Sequence, residues 1–455
     1  MAAVSELVKA ARGVLVCGNK DALTGALSID SRTVAPGDTF LAVKGDSFDG
    51  HDYIAQAVAK GAACVIKSAN CIRYRKEAYP VIEVKDTVKA LGDIARYNRR
   101  KINIPIIAIT GSSGKTTAKE MVAAVLSKKY RCLKNEGTKN NHIGLPLTLA
   151  RVSRDYDLAV VEIGTNHFGE VAYLADICEP NVGVIVNIGP AHLEHFGSIE
   201  GVFKEKYTLI EKLQKPAIAV LNADDNFLRS RIMKKVKKPF TVSFGIHTPS
   251  DVYATDVTYQ AGRLAFRVNG KSSYSLNTLG YHHLYNALIA VSLGRVFGVE
   301  HADIAASLAA FEFPRGRFRV VEVNKVTYID DTYNANPLSL GQALNALGNY
   351  GVKGRKVFVM GDMLELGKYK ESYHFEAGRK VAETCDIFIA VGKLAKLAAE
   401  TCCNYGFGAN NIFVCDTSIQ AREILRTTVI PREEDIVLVK GSRSMKMEEV
   451  LKDVI

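Results

Sequence analysis

At 455 residues the chain is too long for one core, and it is 47% hydrophobic and 24% charged, with neither a low-complexity tract nor an apolar run of about 18 residues that could span a membrane. The N-terminal residues lack a secretory pattern, and nine cysteines, single apart from Cys402-Cys403 and without a C-x-x-C pair, argue against zinc and a disulfide framework, so a cytoplasmic protein is expected. The net charge of +11 is dispersed and poor in interleaved aromatics, which argues against nucleic acid and suits an anionic small-molecule substrate.

Residues 1–101 mix strand patterns (Phe40-Leu41-Ala42-Val43, Cys64-Val65-Ile66, Val81-Ile82-Glu83-Val84) with helical patterns near 52–60 and 86–98, the mark of a small α/β domain. Arg99-Arg100-Lys101 reads as a basic linker into the next domain, and Lys234-Lys235-Val236-Lys237-Lys238 as a solvated helix end.

The second segment, 102–313, opens on the apolar strand pattern Ile106-Ile107-Ala108-Ile109. It runs into Thr110-Gly111-Ser112-Ser113-Gly114-Lys115-Thr116-Thr117, and Lys119-Glu120-Met121-Val122 then reads as helix. A strand feeding a helix through such a loop aims several backbone N–H groups at one point beside the helix's positive end, which makes a phosphate cradle. Lys115 is placed for the terminal phosphates and the Thr116 hydroxyl for Mg²⁺. Ile109 stands where the usual G-x-x-x-x-G-K-[ST] pattern has its first glycine, so the loop is tighter.

The runs Leu158-Ala159-Val160-Val161-Glu162-Ile163, Val182-Gly183-Val184-Ile185-Val186-Asn187 and Ala217-Ile218-Ala219-Val220-Leu221-Asn222 are continuously apolar and separated by helical patterns. They predict a mostly parallel sheet covered on both faces. Alternation over 240–275 predicts an antiparallel extension, and a helix follows near 283–297.

The third segment, 314–455, repeats βα units around Lys356-Val357-Phe358-Val359-Met360-Gly361, Ile387-Phe388-Ile389-Ala390-Val391 and Ile436-Val437-Leu438-Val439-Lys440, a Rossmann-like doubly wound pattern. The expected fold is α/β in three domains. In such sheets ligands bind beyond the carboxyl ends of the strands, where the polar motifs fall.

Glu162 ends an otherwise apolar strand one β-unit after the phosphate loop, a suitable place for a magnesium ligand, although a strand-end glutamate facing solvent has the same pattern. His192, in Gly189-Pro190-Ala191-His192-Leu193-Glu194-His195, lies just past another buried strand and is a candidate third member of that site. Lys206, in Phe203-Lys204-Glu205-Lys206-Tyr207, looks by spacing alone like a solvated helical charge. Asp330-Asp331-Thr332-Tyr333-Asn334-Ala335-Asn336-Pro337 is a polar strand-end loop built to hydrogen-bond a ligand, or a simple turn.

Together these residues resemble the Mur ligase family of ATP-dependent amide-forming enzymes over nearly the whole chain. The carriers are Ser31-Arg32-x-x-x-x-Gly37-Asp38, Asp49-Gly50-His51, the phosphate loop, Asn140-Asn141-His142-Ile143-Gly144-Leu145-Pro146-Leu147-Thr148-Leu149 and Ala191-His192-Leu193-Glu194. Tyr285-Asn286-Ala287-Leu288, Gly316-Arg317, the Asp330–Pro337 loop, Met360-Gly361-Asp362-Met363-x-Glu365-Leu366-Gly367 and Lys440-Gly441-Ser442-Arg443 complete them. The D-N-P-R element of the sibling that adds a diamino acid is absent, and the match is best to members that append D-alanyl-D-alanine to UDP-N-acetylmuramoyl-tripeptide in peptidoglycan precursor synthesis.

The resemblance implies ATP and two Mg²⁺ ions as cofactors, small-molecule substrates and a monomeric enzyme. It implies a UDP-sugar domain (1–101) with Ser31, Arg32, Asp49 and His51, an ATP domain (102–313), and a dipeptide domain (314–455). Gly111, Ser112, Ser113, Gly114, Lys115, Thr116 and Thr117 would hold phosphates, with Asn286 at adenine, Arg317 near the γ-phosphate and Asp331 and Asn336 facing the nucleotide. Thr116, Glu162, His192 and a carbamylated Lys206 would hold metal, and Asn140 and Asn141 would lie toward substrate. Lys115, Lys206, His192 and Arg317 would be catalytic. His283 departs from the family's asparagine, and Glu205-Lys206-Tyr207 from its Ala-Lys-Gly. The phosphate loop alone leaves open a folylpolyglutamate synthase-like ligase or a non-catalytic nucleotide switch.

Overall fold

The computed structural model describes residues 2–45, 48–72, 74, 77–233, 239–260, 263–351 and 353–455. The basic run 234–238 lies outside the described residues.

The first domain carries a five-stranded sheet in the order Val14–Cys17, Val81–Val84, Cys64–Ser68, Thr39–Leu41, Leu27–Ser28, antiparallel only at the first pair. The expected linker Arg99-Arg100-Lys101 is instead the last turn of helix Thr87–Ile102. Asp86 caps the start of that helix, and three cations suit its negative end. Arg99 is buried and donates to the Cys178 carbonyl, while Arg100 pairs with Glu179. The charges therefore fasten the first domain onto the second rather than hang between them.

The second domain holds nine strands. From the edge inward they are Cys132–Lys134, Leu158–Glu162, Ile106–Thr110, Val182–Ile185, Ile218–Asn222, Phe240–Gly245, Val252–Gln260, Arg263–Val268 and Ser272–Leu276. All pairs are parallel except the last two, so the antiparallel extension begins one strand later than the alternation suggested. The strand Ile106–Thr110 has later strands on both sides, one route leading each way, which makes it a topological switch point. The crevice opens where its chain turns into helix Lys115–Leu126. Ala118, Met121 and Val122 of that helix share one core with Leu284, Ala287 and Leu288 of helix His283–Val296.

The third domain has the order Arg319–Val323, Val326–Asp331, Ile436–Lys440, Lys356–Gly361, Ile387–Val391, Ile412–Cys415, antiparallel only at the first pair. Among the described residues no helix is long and apolar enough to cross a membrane. All nine cysteines are free thiols.

Candidate active site

The carboxyl ends of the second and third sheets face one cavity of about 630 Å³. On one wall, Gly114 opens the helix Lys115–Leu126 at φ +79°, and a Cβ there would lie 2.9 Å from the Asn286 side-chain oxygen, so only glycine fits. Asn187 accepts from the Ser112 N–H and, through its side chain, from the Ser113 N–H, which fixes the loop. The N–H groups of the helix's first turn have no intrahelical partner and remain for an anion. Lys115 donates to the Gly111 carbonyl across its own loop (3.0 Å), and burial pulls its ammonium pKa down against the pull of Glu162.

Glu162 is 1% exposed and accepts from the Thr116 hydroxyl (2.8 Å) and the Asn140 amide (2.6 Å). The solvent-facing alternative for Glu162 is thereby overturned. Asn141 turns the chain into the helix Gly144–Ala150, its side-chain oxygen accepting from the Ile143 and Gly144 N–H groups.

Lys206 is 1% exposed, which overturns its reading as a solvated charge. Its neighbours explain the local sequence. Glu205 accepts from the Gly169 and Val171 N–H groups and from Thr165, so it serves the start of helix Glu170–Cys178. Tyr207 packs on Phe203 with Arg231 over its ring. Both departures from Ala-Lys-Gly are thus packing choices on either side of Lys206. Burial, with Lys115 adding positive charge nearby, pushes the Lys206 pKa well below its usual value and favours the neutral amine.

His192 sits at φ +52° ahead of the short helix Leu193–Phe196, and its Nδ1 is 2.5 Å from a Glu365 carboxylate oxygen of the third domain. The Glu365 carbonyl also accepts from the Glu194 N–H. Burial lowers the His192 pKa, so the ring is neutral with Nδ1–H donated to Glu365 and Nε2 left as the lone-pair nitrogen.

Three more contacts join the domains across the cavity. Arg317 donates to the Thr116 hydroxyl (3.0 Å), Asn336 to the Ser112 carbonyl (3.1 Å), and the Tyr333 hydroxyl to Thr138 (2.8 Å). Asn336 also caps helix Pro337–Asn349. Asp331 lies in register with Lys440 on the neighbouring strand and accepts from its ammonium (2.6 Å) and from the Phe318 N–H. Its carboxylate therefore shapes the loop from within.

On the far wall the His282 and His283 rings meet at a tilt with centroids 4.1 Å apart, His282 edge-to-face with Phe318 and His283 tilted against Phe313. Burial holds both neutral, His282 at about 3 and His283 well below the usual histidine value. The Asn286 amide donates to His283 Nδ1, so His283 carries its proton on Nε2. His283 Nε2, His282 Nδ1 and the Asn286 oxygen are buried without partners. Such atoms are costly unless a ligand meets them, and an unpaired donor and acceptor suit a heterocyclic base.

Four sequence candidates lie apart from the cavity. Ser31 donates to Gln56, Arg32 pairs with Asp30, and His51 bonds Asp49 through Nδ1 and the Ser68 N–H through Nε2. Of these, the Arg32 guanidinium is the exposed one. Sequence reasoning missed Glu365, Tyr333 and Lys440 as site residues, although all three stand inside motifs it marked.

Thr116 and Glu162 offer hard oxygen donors in contact with each other. That fits Mg²⁺, which takes one or two carboxylates and completes its shell with phosphate and water.

Family models match in three places: the Mur ligase family catalytic domain over residues 25–99, the Mur ligase middle domain over 109–294, and the Mur ligase glutamate ligase domain over 316–443. The UDP-N-acetylmuramoyl-tripeptide–D-alanyl-D-alanine ligases of Escherichia coli and Bacillus subtilis are 35% and 32% identical. The first match covers 95% of this chain and 94% of the relative, the second 94% and 93%. The crystal structure of MurF from Acinetobacter baumannii superposes with a TM-score of 0.88 at 32% identity, covering 99% of this chain and 98% of that one. MurF ligase from Thermotoga maritima, solved in complex with ADP, gives 0.81 at 30% identity over 95% and 98%. With the phosphate loop, the buried lysine and the interdomain cavity all in place, the chain belongs to the Mur ligase family.

Proposed function

We propose that the protein is an ATP-dependent ligase that joins D-alanyl-D-alanine to UDP-N-acetylmuramoyl-tripeptide. The observation that carries this reading is the convergence on one cavity of Lys115, Thr116, Glu162 and His192 from the second domain with Arg317 and Asn336 from the third, with Lys206 buried behind that lining within electrostatic reach of Lys115 and Glu162. A carboxylate is a poor acyl donor because its leaving group would be oxide. Transfer of the γ-phosphoryl group to the tripeptide's terminal carboxylate gives an acyl phosphate and ADP; the dipeptide amine then attacks the acyl carbon, and phosphate leaves as the amide forms. Lys115 and the helix N–H groups hold phosphates, and Arg317 neutralises charge on the transferring group.

Magnesium would be held at Thr116, with a second ion at Glu162, His192 and Lys206, and would screen phosphate charge. Lys206 can serve only after its neutral amine adds CO₂, losing a proton and becoming a carbamate. Burial, with the positive charge of Lys115 nearby, favours that neutral amine against the opposing pull of Glu205 and Glu162.

The reading places the UDP-sugar on residues 1–101, with Ser31, Arg32, Asp49 and His51 in that domain. It places ATP on 102–313, with Asn286 at adenine and Asn140 and Asn141 on the substrate side, and the dipeptide on 314–455. The protein acts as a cytoplasmic monomer. Phosphate release should require the UDP-tripeptide and D-alanyl-D-alanine together. Equal stimulation by a UDP-dipeptide with a single diamino acid would refute the assignment.

A further inference from the structure

Among the described residues lining the cavity, the lysines and arginines are Lys115, Arg317, Lys440 and Arg443. Three are engaged. Lys115 belongs to the phosphate loop, Arg317 donates to Thr116, and Lys440, 2% exposed, is held by Asp331 and the Asn334 carbonyl. Arg443 differs. Its side chain is 56% exposed, and its ionic partner is Glu448 (2.8 Å), itself 41% exposed. An exposed pair of this kind contributes little and exchanges readily for another carboxylate.

The backbone around Arg443 is fixed. Its N–H donates to the Asn334 side chain, tying it to the Asp330–Pro337 loop. The Tyr333 ring lies 3.7 Å from the Arg317 guanidinium carbon and 5.7 Å from that of Arg443. One ring thus touches the cation at the phosphate end and the cation at the outer end.

We propose that Arg443 is the specificity residue that receives the terminal carboxylate of the incoming dipeptide, leaving Glu448 to do so and directing the amine inward toward Arg317. The assignment rests on the ligase reading above. A guanidinium matches a carboxylate with two parallel N–H donors, whereas an ammonium offers a point charge.

The test compares D-alanyl-D-alanine with its C-terminal amide, using the full-length wild-type enzyme and its Arg443→Ala and Arg443→Lys variants. For the wild type the amide should raise KM roughly 10- to 100-fold, the range of a lost charge-assisted bond. Arg443→Ala should raise KM for the dipeptide by a similar factor, leave KM for ATP and the UDP-tripeptide unchanged, and no longer distinguish acid from amide. Arg443→Lys should fall between. Equal use of acid and amide by the wild type would overturn the proposal without need of any variant. Undiminished acid preference in Arg443→Ala, or a parallel rise in all three KM values, would also overturn it. Absence of dipeptide-dependent turnover in the wild type would instead remove the ligase reading, and this assignment with it.

Discussion

Replacing His283 by asparagine should flatten the acid side of the protein's stability profile. His283 is 3% exposed and is kept neutral by burial and by the neighbouring His282 and Lys440. In the unfolded chain the same ring takes up a proton below about pH 6.5. The unfolded state therefore binds more protons than the folded state below that pH, and stability falls as pH falls. His283 alone costs about 1 to 1.5 kcal/mol for each pH unit below 6.5, until its depressed folded value is reached. Above about pH 7 the effect is absent. Asparagine does not titrate, but it gives up the ring contact with Phe313 at 4.4 Å, a packing loss of about 1–2 kcal/mol. The variant should thus be less stable than wild type at pH 8, equal near pH 5.5 and more stable below that. His282 titrates in both proteins and cancels from the difference. The chain has no tryptophan, so urea unfolding followed by circular dichroism across pH 5–8 is the suitable measurement. A wild-type–variant difference that stays constant over this range would refute the claim that His283 is buried as the neutral ring.

Lys206→Ala and Lys206→Arg should both be nearly inactive, because neither can form a carbamate, and acetate should partly restore the alanine variant by occupying the vacated position. A carbamate carbon signal from the wild type in ¹³C-bicarbonate, absent from both variants, is the independent check, and a fully active Lys206→Arg would rule the role out. Glu365→Ala should reduce kcat about 10- to 100-fold with a smaller change in KM for ATP, since it frees the His192 ring rather than removing it. The Glu365 carboxylate is held below its usual pKa by His192, so the wild-type bond persists at neutral pH and weakens only as pH falls below about 4.5. Unchanged kcat would mean the contact is incidental to turnover.

The layered α/β architecture was legible because buried parallel strands are continuous apolar runs: Ile106–Thr110, Leu158–Glu162 and Ile436–Lys440 announce themselves without reference to partners. The phosphate loop was legible for a related reason. Gly114, Lys115 and Thr116 act through backbone conformation and helix polarity, which are local properties. Lys206 shows the opposite case. Between Glu205 and Tyr207 its sequence reads as a solvated turn of helix, and only the packing of that helix against the segment 169–171 in the fold buries Lys206 and favours its neutral amine. The linker reading of Arg99-Arg100-Lys101 failed similarly, because the acceptors at 178 and 179 that absorb its charge are some eighty residues away. Sequence alone therefore determined which segments are strand, helix and anion-binding turn, through periodicity and local stereochemistry. The tertiary structure decided which charges are buried and which carboxylate holds which histidine, because those depend on desolvation and on contacts such as Glu365–His192 between residues distant in the chain.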